Sequence, residues 1–161
     1  MTQVSNADAP DAGGEPSGQC FRPATAAETR EAVAEAVATG TPLEVTGAGT
    51  RRAIGRPVQA GATLDMSALA GIVDYEPAEL VLTVRPGTPL AVAEATLAEA
   101  GQAFAFEPMD TGPLLGLAPG GGTIGGTFAT NLSGPRRIKA GAVRDHMLGL
   151  AAVSGRAEIF K

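Results

Sequence analysis

The stretch GGGTIGGTFATNLSG, residues 120–134, decides how the rest of this chain is interpreted. It contains six glycines and no charged residue. Because glycine loses more backbone entropy on folding than any other residue, so glycine-rich a run needs a structural reason. Two interpretations are open: a segment that wraps a phosphate group, or a flexible loop.

The spacing of Gly120, Gly122 and Gly125 also matches the G-x-G-x-x-G turn of dinucleotide-binding proteins, and Asp145 follows further along the chain. The context argues against that fingerprint. A Pro/Gly-rich loop stands where a strand is required, and Pro135 cuts the following helix short. The classical dinucleotide-binding interpretation is therefore disfavoured.

A better interpretation begins at Thr123, which is predicted to cap a short helix. Gly125 and Gly126 in its first turn are expected to expose N–H groups and to let a pyrophosphate come close. Asn131 and Ser133 offer side-chain hydrogen bonds to phosphate or ribose.

A second glycine-rich segment, LEVTGAGTRR (43–52), reads as a strand that enters a tight turn. Such a turn can aim successive N–H groups at one anion, with hydroxyls from Thr46 and Thr50 and charge from Arg51 or Arg52. An ordinary β-turn is the alternative interpretation of the same residues. Arginines follow both segments, and those after the second segment are Arg136 and Arg137. The two glycine-rich segments together therefore favour one diphosphate held from two sides.

Composition excludes several function classes. The formal net charge of −5 argues against nucleic acid or an anionic membrane as the main partner. A single cysteine, Cys20, and a single histidine, His146, rule out an intrachain disulfide and a Cys/His zinc site, so no metal site is predicted. His146 is interpreted as structural, and no residue is predicted to be catalytic. No apolar run approaches the ~20 residues of a membrane span and no signal peptide is recognised, so a cytoplasmic location is expected.

Local patterns predict an α+β domain over 21–161 after a disordered tail over 1–20. The first helix is expected to start at a capping box on Thr25 and to end at Gly40, with Val33 and Val37 on one face. Thr88 is expected to cap a second helix that ends at Gly101. Short strands are predicted at 42–46, 62–66, 71–75, 79–87 and 103–106, and a hairpin at 148–161.

Two phrases carry a family resemblance: GIVDYEPAELVLTVRPGTPL (71–90) and LSGPRR…AGAVRDHMLG (132–149). Together with the glycine-rich segments they resemble the FAD-binding domain of the vanillyl-alcohol-oxidase or PCMH type. Within that family they are most similar to the FAD-binding subunits of bacterial glycolate oxidases. The resemblance covers roughly 22–161.

The resemblance implies a two-lobed FAD domain with the cofactor between the lobes, and an incomplete second lobe because relatives continue further. FAD is expected to be non-covalent, since TGAGTRR lacks the histidine that attaches flavin in some relatives. The implied cofactor-binding residues form a first loop (46–51), a second loop (122–126) and its continuation: Thr46, Gly47, Ala48, Gly49, Thr50, Arg51, Gly122, Thr123, Ile124, Gly125, Gly126, Asn131, Ser133 and Gly134.

The implied function is to hold FAD and relay electrons in a complex that oxidises glycolate to glyoxylate. The implied partners are a catalytic flavoprotein subunit and an iron–sulfur subunit, which can also hold the chain at the inner membrane; the chain alone is expected to be inactive. Two alternatives stay open. One is another PCMH-type FAD oxidase or dehydrogenase acting on lactate or a sugar, and the other is a non-catalytic assembly module.

Overall fold

The computed structural model describes residues 18–161, and the rest of the predicted tail lies outside them. The helices and strands alternate irregularly along the chain, as the α+β prediction requires. The strands are β1 (Gln19–Phe21), β2 (Leu43–Thr46), β3 (Ala62–Asp65), β4 (Ile72–Glu76), β5 (Val81–Val84), β6 (Ala152–Val153) and β7 (Ile159–Phe160). The helices are α1 (Ala26–Thr39), α2 (Leu90–Glu99), α3 (Ile124–Thr130) and α4 (Arg137–Ala140), with short 3₁₀ turns at Met66–Ala68, Pro113–Leu115 and Val143–His146.

The first sheet has three parallel strands in the order β1-β3-β2, and α1 connects its two outer strands. Gln19 and Cys20, placed by the sequence in the tail, belong to β1 and pair with Ala62 and Thr63. Their polar composition gives no local strand signal, because their extended form depends on a partner strand far along the chain. β4–β5 and β6–β7 form two further antiparallel pairs.

Helix α1 has the predicted ends. The Thr25 hydroxyl accepts a hydrogen bond from the Glu28 N–H at 3.1 Å, and the Glu28 carboxylate accepts one from the Ala24 N–H at 2.8 Å. Gly40 closes the helix in the left-handed conformation at φ 64°. The capping prediction is confirmed.

The predicted apolar face of α1 is wrong. The buried residues are Thr29, Ala32 and Ala36, whereas Val37 is 57% exposed. Small side chains let the helix pack close to its neighbours, so the buried face is the one that carries the small residues and not the one that carries the larger valines. The whole core follows this rule, since half of its buried apolar residues are alanines: Ala32, Ala36, Ala62, Ala93 and Ala142.

The segment 103–106 was predicted to be a strand and is not one. Phe104 and Phe106 instead stack on each other with ring centroids 4.9 Å apart, and Phe106 is buried. The alternating apolar residues have no partner strand, and the two stacked rings instead hold the start of the loop that follows, 107–122.

The role predicted for Thr88 is also wrong, because its hydroxyl makes no cap for α2. Thr88 is 1% exposed; its hydroxyl accepts a hydrogen bond from the Gly71 N–H at 2.8 Å and donates one to the Arg85 carbonyl at 2.7 Å. Its carbonyl accepts the Ile124 N–H at 2.9 Å. Thr88 therefore joins the β4–β5 hairpin, the start of α2 and the start of α3.

Thr88→Val is expected to destabilise the chain by about 1–3 kcal/mol, because the isosteric side chain at this buried position leaves the Gly71 N–H without its acceptor. Urea unfolding followed by circular dichroism measures the change in the free energy of unfolding. Thr96→Val is the matched control, since the Thr96 hydroxyl only donates to the Val92 carbonyl on the solvent side of α2. Equal losses in the two variants would contradict the assigned role of Thr88.

Candidate functional site

The start of α3 has the predicted cap but not the predicted free donors. The Thr123 hydroxyl accepts a hydrogen bond from the Gly126 N–H at 3.2 Å. The Ile124 N–H donates to the Thr88 carbonyl at 2.9 Å and the Gly125 N–H to the Pro86 carbonyl at 2.8 Å. The expectation that the glycines expose these N–H groups is therefore wrong, because the preceding turn already accepts them.

The first and second loops lie in direct contact. A Cβ atom on Gly47 would lie 2.5 Å from the Thr123 hydroxyl oxygen. A Cβ atom on Gly121 would lie 2.8 Å from the Thr50 methyl carbon. Real side chains do not approach so closely, so glycine at these positions lets the two backbones meet. The structure thus brings together the two segments that the sequence predicted to share one ligand.

Backbone donors remain available where the loops meet. Within residues 18–161, no acceptor is hydrogen-bonded to the N–H groups of 47–51 or of 121–123. Gly49 adopts φ 70°, which gives the first loop its tight turn. Consecutive N–H groups without protein acceptors in a turn are typical of anion-binding loops.

Arg51 supplies the positive charge at this place. Its Nη2 donates to the Met109 carbonyl at 3.2 Å, and a Cβ atom on Gly126 would lie 3.0 Å from its Nη1. Its Nε is buried and has no hydrogen-bond partner within the described part of the chain. Burial lowers the pKa of the guanidinium, and the charge of Asp110 opposes that effect in part. A desolvated cation with an unsatisfied donor fits an anionic ligand such as a pyrophosphate.

Two further arginines near the loops, Arg52 and Arg136, have protein partners. The Arg52 Nε donates to the Glu44 carboxylate at 2.9 Å. The Arg136 Nε and backbone N–H both donate to the Glu107 carboxylate at 3.1 Å. The sequence left open whether Arg51 or Arg52 supplies the charge. Since Arg52 is paired with Glu44 and the Arg51 Nε has no partner in the described residues, Arg51 is the better candidate.

Asn131 and Ser133 fasten the end of α3 to the 3₁₀ turn at Val143–His146. Asn131 ends α3 in the left-handed conformation, and its Oδ1 accepts the Arg144 N–H at 3.1 Å. The Ser133 hydroxyl accepts the Val143 N–H at 3.3 Å. Gly134 donates its N–H to the Glu107 carbonyl at 2.9 Å. These contacts give all three residues a structural role, and their part in ligand binding stays a prediction.

Asp110 is a site residue that sequence reasoning missed. Its carboxylate accepts the Gly120 N–H at 2.8 Å and the Gly112 N–H at 3.0 Å. These two hydrogen bonds lower its pKa, that from Gly120 more than that from Gly112. The signal was present in the sequence, since an aspartate two residues before a glycine is typical of an Asx turn.

His146 has the structural role that the sequence suggested for it, and Asp145 bonds the backbone at the start of the same 3₁₀ turn. His146 Nε2 lies 2.9 Å from the Ala140 carbonyl oxygen, and its ring centroid lies 5.6 Å from that of Phe106. The Asp145 carboxylate accepts the Ala142 N–H at 2.8 Å, which lowers its pKa.

Among residues 18–161 no helix is long and apolar enough to cross a membrane.

Comparison with known proteins identifies the family of the chain. A family model described as an FAD binding domain matches residues 18–161. Glycolate oxidase subunit GlcE of Escherichia coli (strain K12) is 43% identical over 125 residues, which are 78% of this chain and 33% of that protein. An FAD-linked oxidoreductase of Mycobacterium tuberculosis (strain H37Rv) is 28% identical over 141 residues, 87% of this chain and 29% of that protein. The chain thus spans about a third of the length of these relatives.

Solved structures share the fold at low sequence identity. Phl p 4.0202, a glucose dehydrogenase, matches with a TM-score of 0.69 at 14% identity over 91% of this chain and 30% of its own. Alkyldihydroxyacetonephosphate synthase matches with a TM-score of 0.67 at 18% identity over 88% of this chain and 28% of its own. The chain belongs to the PCMH-type FAD-binding domain family of flavin-linked oxidoreductases, and FAD is its cofactor.

Proposed function

We propose that this chain holds FAD non-covalently, with the pyrophosphate between the first loop (46–51) and the second loop (122–126). The observation that carries the proposal is the contact between the two loops at Arg51, whose buried Nε has no partner in the described residues. A pyrophosphate oxygen at this place would satisfy that donor and neutralise the desolvated guanidinium.

The backbone supplies the other donors in the proposed site. The N–H groups of 47–51 and 121–123 have no acceptor in the described part of the chain, and several can share the oxygens of one diphosphate. The first-turn N–H groups of α3 are not part of the proposed site, because the carbonyl groups of Pro86 and Thr88 already accept two of them. The proposed cradle is therefore formed by the loop before the helix rather than by the helix end.

The side chains of this chain support the proposal of non-covalent attachment. The first loop has no histidine, cysteine or tyrosine that could form a bond to the flavin ring. His146 lies against the Ala140 carbonyl, and the Tyr75 hydroxyl donates to the Gln102 side chain at 2.8 Å. Cys20 lies on β1, in the first sheet.

The whole protein's activity is proposed from its relatedness to GlcE. The chain would act as the FAD-holding subunit of a cytoplasmic complex that oxidises glycolate, beside a catalytic flavoprotein subunit and an iron–sulfur subunit. FAD supplies the electron transfer when bound. The described residues bind and orient it through Arg51 and the loop amides.

The first test is a titration of the purified chain with FAD, followed by flavin fluorescence. Wild type is expected to bind about one FAD per chain. Arg51→Gln is expected to weaken binding roughly 10- to 100-fold, because it removes a charge-assisted hydrogen bond worth about 1.5–3 kcal/mol. Arg136→Gln is the control, since Arg136 pairs with Glu107 at the surface. Equal affinity in both variants, or no binding by wild type, would contradict the proposed site.

A second test concerns attachment. Trichloroacetic acid precipitation of the FAD-bound chain is expected to release all the yellow colour into the supernatant, because no covalent bond holds the flavin. The absorbance of the supernatant and of the redissolved pellet near 450 nm measures the partition. Flavin that stays with the pellet would disprove non-covalent binding.

A third test addresses the complex. An affinity-tagged chain expressed in its native host is expected to co-purify with a flavoprotein and an iron–sulfur protein, and the eluate is expected to reduce a dye with glycolate. The same assay with lactate and glucose distinguishes the alternatives. Dye reduction by lactate or glucose but not by glycolate would favour another PCMH-type oxidase or dehydrogenase. Co-purification without bound flavin would favour an assembly module.

A further inference from the structure

The segment before the second loop is held by one carboxylate. Asp110 accepts the Gly112 N–H at 3.0 Å through Oδ1 and the Gly120 N–H at 2.8 Å through Oδ2. The Leu117 N–H donates to the Gly112 carbonyl at 2.8 Å and so closes the same loop a second time. Asp110 therefore ties the beginning of the loop 110–120 to its end.

The end of this loop leads straight into the available donors. Gly121, Gly122 and Thr123 follow Gly120, and their N–H groups have no acceptor in the described residues. On the far side, the Gly122 carbonyl accepts the Leu90 N–H at 2.9 Å. Asp110 and Leu90 thus fix the two ends of this short donor segment, which itself contains two glycines.

The beginning of the loop is connected to the positive charge of the site. Arg51 Nη2 donates to the carbonyl of Met109, the residue next to Asp110. The Asp110 charge also acts on the Arg51 guanidinium and stabilises its protonated form. One aspartate therefore influences the position of both the cation and the backbone donors.

From these contacts we propose that Asp110 is a positioning residue for the FAD pyrophosphate. It holds the 121–123 amides and the acceptor of Arg51 in their binding arrangement before the cofactor arrives. The inference rests on the proposed function, since it presumes that the pyrophosphate lies between the two loops. Both carboxylate oxygens are occupied by N–H groups of the protein, so Asp110 acts through them and does not contact the cofactor.

The physical basis is preorganisation. A glycine-rich donor segment that had to be ordered on binding would lose conformational entropy at that moment and would bind more weakly. Asp110→Asn keeps the side-chain volume but leaves one acceptor oxygen for two N–H groups. The variant tests the second hydrogen bond and the charge without opening a cavity.

The experiment compares wild type, Asp110→Asn, Asp110→Glu and Asp145→Asn. Asp145 is the matched control, because its exposed carboxylate also accepts a backbone N–H at 2.8 Å, but in the 3₁₀ turn after α4. Asp110→Asn is expected to weaken binding of FAD about tenfold, and of ADP by the same factor, because ADP carries the pyrophosphate without the flavin. Amide hydrogen exchange of the free chain is expected to speed up at Gly120 by a similar factor. Asp110→Glu is expected to recover part of both losses, and Asp145→Asn is expected to change neither.

The outcomes separate the two proposals. If wild type binds FAD and Asp110→Asn binds it equally well, the positioning role is wrong while the proposed function stands. If Asp110→Asn loses FAD affinity but not ADP affinity, Asp110 acts away from the pyrophosphate and the inference is overturned. If wild type binds neither FAD nor ADP, the proposed function fails and the inference fails with it.

Discussion

The turn at Pro86–Thr88 accepts two backbone N–H groups from the start of α3, and the arrangement of the site depends on these hydrogen bonds. The Pro86 carbonyl takes the Gly125 N–H and the Thr88 carbonyl takes the Ile124 N–H. A Cβ atom on Gly125 would lie 2.7 Å from the Pro86 Cβ, so the two segments can meet only where a side chain is missing. Glycine at this position provides close packing between elements rather than flexibility.

Because of this packing, the N–H groups without an acceptor in the described residues lie upstream of the helix. Because the first turn of α3 is committed to Pro86 and Thr88, the available amides are those of Gly121, Gly122 and Thr123. Those amides have no acceptor among residues 18–161 and lie where the first loop approaches. The second loop thus differs along its length. The N–H groups of Gly122 and Thr123 have no acceptor in the described residues, whereas those of Ile124 and Gly125 attach the helix to the turn at Pro86–Thr88.

How much could be predicted depends on how local each interaction is. The caps at Thr25, Gly40 and Thr123 involve neighbours within a few residues, and the sequence predicted all three. The exposure of Val37, and the contact of Thr88 with Gly71 instead of α2, depend on elements far away in the chain. The contact of the two loops was predicted from chemistry alone, because two arginine-flanked glycine turns suggest one shared anion.

For the proposed diphosphate site, the charges close to the loops matter more than the net charge of −5. Arg52 and Arg136 are paired with Glu44 and Glu107 and add little net positive potential. Arg51 retains its charge in a partly desolvated place, where each electrostatic interaction is stronger than in water. In the proposed site, recognition depends on fixed amide dipoles and one half-buried cation rather than on a broad basic surface. Such a site discriminates by geometry, and this is why the loops that hold the donors matter more than the total charge.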